Sequence, residues 1–207
     1  MSPDLYGKTP SASPPSSGYV PHKGVGGPYG CSLVLLFLAA FLLWNTVFMY
    51  PLRLLVVLMH ESGHALAAIL TGGRVVSITI TPQEAGVAVT AGGWRLLILC
   101  SGYLGSVIFG ALLLRATVVP KLREVLLEIM AAGVLAVMLF FVGWADTFTL
   151  VYCIAAAIVL FLVGVKTRPA VEYFIVRFVA VASCLFAFLD LRGDLLSFSA
   201  VFGRGSG

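Results

Sequence analysis

Long apolar runs separated by short polar breaks organise the chain. Cys31–Met49, Leu52–Leu70, Leu96–Leu114, Val125–Trp144, Phe148–Val165 and Ala170–Leu191 each approach the length that crosses a hydrocarbon core. Pro51, Pro82, Pro120 and Pro169 all fall at breaks between runs. Between the second and third runs the period changes from helical to twofold. Val76, Ile78 and Ile80 alternate with Ser77, Thr79 and Thr81, Pro82–Gly86 reads as a turn, and Val87 to Thr90 alternates again. Gly72-Gly73 and Gly92-Gly93 bracket the stretch, which completes a β-hairpin signature. The pattern predicts an all-α membrane protein of about six transmembrane helices, with a β-hairpin loop between the second and third. At membrane depth such backbone is tolerated only where it is buried in protein or lines water, so the hairpin has reason to fold back on the second run.

Composition agrees. Of 207 residues, 60% are hydrophobic and 11% charged, and the mean hydropathy is +1.04, which excludes a soluble domain. The net charge of +4 is small and scattered, so nucleic acid is not an expected partner; the lipid bilayer is. Residues 1–30 hold six of the ten prolines and few large aliphatics, and are expected to form a disordered tail. Residues 31–195 form the membrane domain in this reading, and residues 196–207 a flexible C-terminal tail. Lys and Arg divide almost evenly between the two sides, so the positive-inside rule gives no orientation. The four cysteines lie in or at the ends of apolar runs without a C-x-x-C pair, and read as small apolar residues. Arg177, about two turns into the last run, reads as snorkelling or as paired with Glu124 or Glu128.

One stretch carries chemistry. His60-Glu61-Ser62-Gly63-His64 lies inside the second apolar run and holds two of the three histidines. Four residues apart on a helix, His60 and His64 project from one face, where two imidazoles can close on a tetrahedral Zn²⁺. Glu61, beside the first ligand, can take a proton from zinc-activated water and return it to a leaving amine. This is the H-E-x-x-H pattern of zinc hydrolases. A charged residue mid-membrane costs about 2.5–3.5 kcal/mol on insertion scales, so such residues are usually functional. Helix-gluing polar contacts are the bland alternative.

A catalytic zinc normally takes a third protein ligand. Asp190, Asp194 and Asp146 are the candidates, all on the side of the far end of the histidine helix. Asp190 ranks first because Ala187, Phe188 and Leu189 still read as membrane span; Asp194 ranks second and Asp146, in a turn, third. In the third run Gly102, Ser106 and Gly110 recur every fourth residue, a narrow face for close packing, on the histidine helix in the functional version.

With His60-Glu61-Ser62-Gly63-His64-Ala65, the Gly72-Gly73 hairpin, Ser101-Gly102-Tyr103-Leu104-Gly105-Ser106 and Asp190-Leu191-Arg192-Gly193-Asp194, the chain resembles the site-2 protease superfamily of intramembrane zinc metallopeptidases. The likeness is to its small peptidase-like multi-pass branch, over roughly Leu52 to Asp194. It lacks the N-P-x-P-x-L-D-G segment that carries the aspartate ligand in better-known members. The resemblance implies hydrolysis of peptide bonds in a transmembrane protein substrate, with His60 and His64 as ligands and Glu61 as base. The alternative is a catalytically inactive scaffold or chaperone that keeps the fold; a metal transporter fits less well, for no further row of intramembrane ligands is seen.

Overall fold

A computed structural model describes the backbone of residues 28–203 and the side chains of residues 32–193 apart from Pro120. Most of the proposed N-terminal tail, residues 204–207 and the side chain of Asp194 lie outside the described residues. Six helices and one two-stranded sheet follow in order: α1 (Pro28–Leu43), α2 (Tyr50–Leu70), β1 (Arg74–Ile80), β2 (Gly86–Ala91), α3 (Arg95–Ala116), α4 (Pro120–Phe141), α5 (Thr147–Lys166) and α6 (Pro169–Gly203). Five of them, α2 to α6, are long and apolar enough to cross a bilayer. The chain is an integral, multi-pass membrane protein.

The first helix ends earlier than Met49. The Thr46 hydroxyl donates to the Leu43 carbonyl at 2.7 Å and its amide to the same oxygen at 2.9 Å, closing a turn. A 3₁₀ turn, Val47–Met49, then leads into α2. The prolines act as starters rather than breakers. Pro51 and Pro120 sit in the first turns of α2 and α4, and α6 opens on Pro169, positions where the missing N–H would have no helical partner. Consequently Lys121, Arg123 and Glu124 belong to the first turns of α4 rather than to a loop. Helix α6 also continues through Gly193 and on to Gly203, across residues read as tail.

The hairpin forms as the alternation requires, with Ile78 opposite Ala88 and Ile80 opposite Gly86. One detail differs. A bulge between Val75 and Ser77 inserts a residue, so Val76 faces outward while Val75 joins Ile78 and Ile80 against the core. Gly72, Gly92 and Gly93 take positive φ where the chain enters and leaves the hairpin.

The hairpin is tied into the bundle at three places. Buried Thr149 of α5 accepts from the Ile80 amide at 3.0 Å, and its own proton goes to Asp146 Oδ2 at 2.6 Å. Tyr50 donates to the Pro82 carbonyl at 3.0 Å, and Arg53 Nη2 meets Glu84 Oε1 at 2.6 Å. At the opposite end of the bundle, buried Arg123 bonds Glu172 at 3.2 Å and the Thr117 carbonyl at 2.9 Å, linking α4, α6 and the end of α3. Arg177 is buried and bonds the Tyr173 hydroxyl at 2.6 Å rather than snorkelling. Cys100, Cys153 and Cys184 are free thiols.

Thr149→Val removes the acceptor of a buried amide at constant shape. It should lower stability by about 1–3 kcal/mol, the cost of leaving such a group unsatisfied, while Thr149→Ser should stay near wild type. Denaturant unfolding in micelles measures the difference.

Candidate metal centre

The histidine motif lies about three to four turns into α2, with His60 and Glu61 both buried. Each imidazole is oriented by a group on α3. The Ile98 carbonyl lies 2.6 Å from His64 Nδ1. A carbonyl only accepts, so Nδ1 carries the proton and the Nε2 lone pair of the neutral ring is left for a metal. Ser106 donates its hydroxyl proton to the Gly102 carbonyl at 2.9 Å, so its oxygen can accept from His60 Nδ1 at 3.5 Å. Ser183 of α6 holds Ser106 in turn, donating to its backbone carbonyl at 2.9 Å. The His60 ring meets Tyr103 and Phe186 edge-on, at centroid distances of 5.3 and 5.6 Å.

Both Nε2 atoms converge on the space above Gly102. A methyl group there would collide with each of them, so the small residue keeps open the point the two histidines share. Gly63 allows this approach, because a Cβ on it would stand 2.8 Å from the Ser101 carbonyl oxygen. The small-residue face of α3 thus packs on the histidine helix at Gly102. Farther along it meets α6, where a Cβ on Gly110 would stand 2.6 Å from Cys184 Sγ.

Of the three aspartates, Asp190 reaches the motif: its Oδ2 stands 3.7 Å from His60 Nε2. Asp146 is used elsewhere. It caps the N-terminus of α5, accepting from the Thr149 amide at 3.1 Å and from the Thr149 hydroxyl. The position of Asp194's side chain lies outside the described residues.

Zinc is tested against this geometry through its donors. Two imidazole nitrogens with bonds of about 2.0–2.1 Å subtend a tetrahedral edge of about 3.3 Å with any third donor. The 3.7 Å between His60 and Asp190 is close to that edge, so either a metal ion or a proton on Nε2 suits the pair. Among the described residues, however, no three His, Cys, Asp or Glu side chains are already gathered as a complete set. The donors fit zinc in kind and in pairwise approach, with His60 as the shared member.

The hairpin folds back on α2 as its depth requires, and it packs on Glu61, a particular contact that the sequence alone did not reveal. The Ala88 amide of β2 faces its carboxylate, and a Cβ on Gly86 would lie 2.7 Å from Glu61 Oε1 and from Val57 Cγ1. Glycine at position 86 lets strand β2 lie directly on the carboxylate. Ser106 was legible only as a small residue, and its link to His60 needed the helix register. Arg53, a charged residue on the motif helix, was the one available signal for the Glu84 contact.

No curated protein and no solved structure matches the chain. The sequence model of the Peptidase M50B-like family matches residues 33–206 and takes in the motif, the hairpin and Asp190. The chain belongs to this family, a member of the site-2 protease group.

Proposed function

We propose that this chain is an intramembrane zinc metallopeptidase that hydrolyses peptide bonds of transmembrane protein substrates. The observation that carries the reading is the convergence of His60 and His64 Nε2 over Gly102, on the helix that also presents Glu61. His60, His64 and Asp190 would hold the metal. Bound there, zinc would supply a Lewis acid that activates water and polarises the peptide carbonyl.

The remaining steps fall to the chain's own groups. Glu61, oriented by the Ala88 amide, accepts a proton from the attacking water and delivers it to the leaving nitrogen. Ile98 and Ser106 keep the imidazoles turned with Nε2 toward the shared point. Because the Ala88 amide turns from β1 toward Glu61, the outer edge of β2 runs beside the base. An unwound substrate segment pairing along that edge by strand addition would bring its backbone to Glu61. His60 and Glu61 are buried under the hairpin and between α3 and α6, while partly exposed Asp190 leaves a route for water to reach the site.

The second reading, a scaffold that keeps the fold without turnover, draws on one observation: the three donors are not already gathered. Two experiments separate the readings. Glu61→Gln should retain zinc and lower cleavage of a transmembrane substrate by about 10²–10⁴-fold, the usual contribution of a general base. Zinc bound equally by both forms, with cleavage by neither, would favour the scaffold.

Asp190→Ala should weaken zinc by more than the roughly 100-fold that loss of an outer partner costs, measured by chelator competition. Asp146→Ala should leave zinc affinity unchanged and instead lower stability by about 1 kcal/mol, the value of a helix cap. The reverse pattern would make Asp146 the ligand.

A further inference from the structure

A cavity of about 440 Å³ opens between α2, the hairpin turn and α6. Arg53 and Glu84 line it together with Val57, Phe186 and Asp190. Three of these reach the candidate centre: Phe186 stacks edge-on against His60, Asp190 approaches His60, and Val57 shares the Gly86 contact with Glu61. Arg53, Val57 and Glu61 follow one another at four-residue steps, so one face of α2 forms a track from the guanidinium to the base.

Arg53 is incompletely used. Its Nη2 meets a single oxygen of Glu84 at 2.6 Å, while its Nε is covered and has no acceptor among the described residues. The partner is held unfavourably as well. Glu84 has φ +65°, a left-handed conformation that non-glycine residues seldom adopt. The pair is therefore a one-point contact between a guanidinium with a spare buried donor and a strained turn.

We propose that Arg53 is a specificity-determining residue that binds a carboxylate of the substrate in exchange for Glu84. An incoming carboxylate presents two oxygens, one to replace Glu84 on Nη2 and one to reach Nε, closing the bidentate fork that a guanidinium favours. A neutral carbonyl can add to Arg53 but cannot replace its counter-charge, so the exchange selects for an acid. Asp190 at the inner end of the cavity and Arg53 at the outer end orient that acid outward. Eight residues of helix span about 12 Å, and an extended peptide rises about 3.3 Å per residue. The carboxylate accordingly belongs about three to four residues from the bond that Glu61 serves, as an acidic side chain or as a free chain end. This inference rests on the peptidase reading for its register but not for its test.

The test is equilibrium binding to the full chain in detergent micelles, followed by fluorescence anisotropy. The probes are fluorescein-labelled, C-terminally amidated peptides of alternating Leu and Ala that differ in one residue, Glu or Gln; a third carries Gln and a free C-terminal carboxylate. Wild type should bind the Glu peptide about tenfold tighter than the amidated Gln peptide, as befits one charge-assisted fork. Glu84→Gln should widen that ratio by removing the competitor. Arg53→Gln should bring it to about one, chiefly by weakening the Glu peptide. Tight binding of the third peptide would identify a chain end as the source, and its absence a side chain; both support the exchange. A wild-type preference near one for both the Glu peptide and the free-carboxylate peptide, each against the amidated Gln peptide, would overturn it. So would equal weakening of all peptides in both variants, the mark of a purely structural latch. Should a variant fail to fold, the wild-type ratio decides alone. Binding is read without turnover, so absence of hydrolysis would count only against the peptidase reading.

Discussion

A carboxylate and two imidazoles buried within a membrane helix must each find a polar partner inside the protein, because lipid offers none. That constraint accounts for the packing around α2. Glu61 is met by the Ala88 amide, His64 by the Ile98 carbonyl, and His60 by Ser106 and Asp190. Three separate elements, β2, α3 and α6, are thereby drawn onto one turn of one helix. The glycines at 63, 86 and 102 are what let them come so close, since a side chain on any of them would collide with the partner helix, Glu61 or the imidazoles.

The same requirement explains a β-hairpin at this depth. Its inward residues Ile78 and Ile80 fill the core, while the polar backbone around them is satisfied by helices rather than by water. Thr149 takes the Ile80 amide, Tyr50 takes the Pro82 carbonyl, and the Ala88 amide faces Glu61. Glu61 thus also packs directly on the strand beside it.

Much of this was legible in the amino-acid order. Apolar run length and helical spacing gave the membrane helices and the common face of His60 and His64, and twofold alternation gave the hairpin. That Asp190 would lie near the motif was readable from its apolar neighbours. What escaped depends on contacts remote in sequence. A proline marks a boundary without saying whether it ends one helix or begins the next, so the starts of α2 and α4 were displaced. The bulge at Val76 breaks an alternation that looked regular, because the extra residue is visible only against the opposing strand. The cap role of Asp146 required knowing where Thr149 points, and the partner of Arg123 lies 49 residues away on another helix.

The central claim is that α2, α3 and α6 together build a zinc site from His60, His64 and Asp190. X-ray absorption at the zinc edge of the purified full-length protein tests it most directly. The account predicts about one zinc per chain, with two imidazole nitrogens at about 2.0–2.1 Å and carboxylate oxygen in the first shell. It also predicts that the oxygen contribution falls in Asp190→Ala while both imidazoles remain. Absence of zinc, or a shell unchanged by that substitution, would contradict the site as drawn.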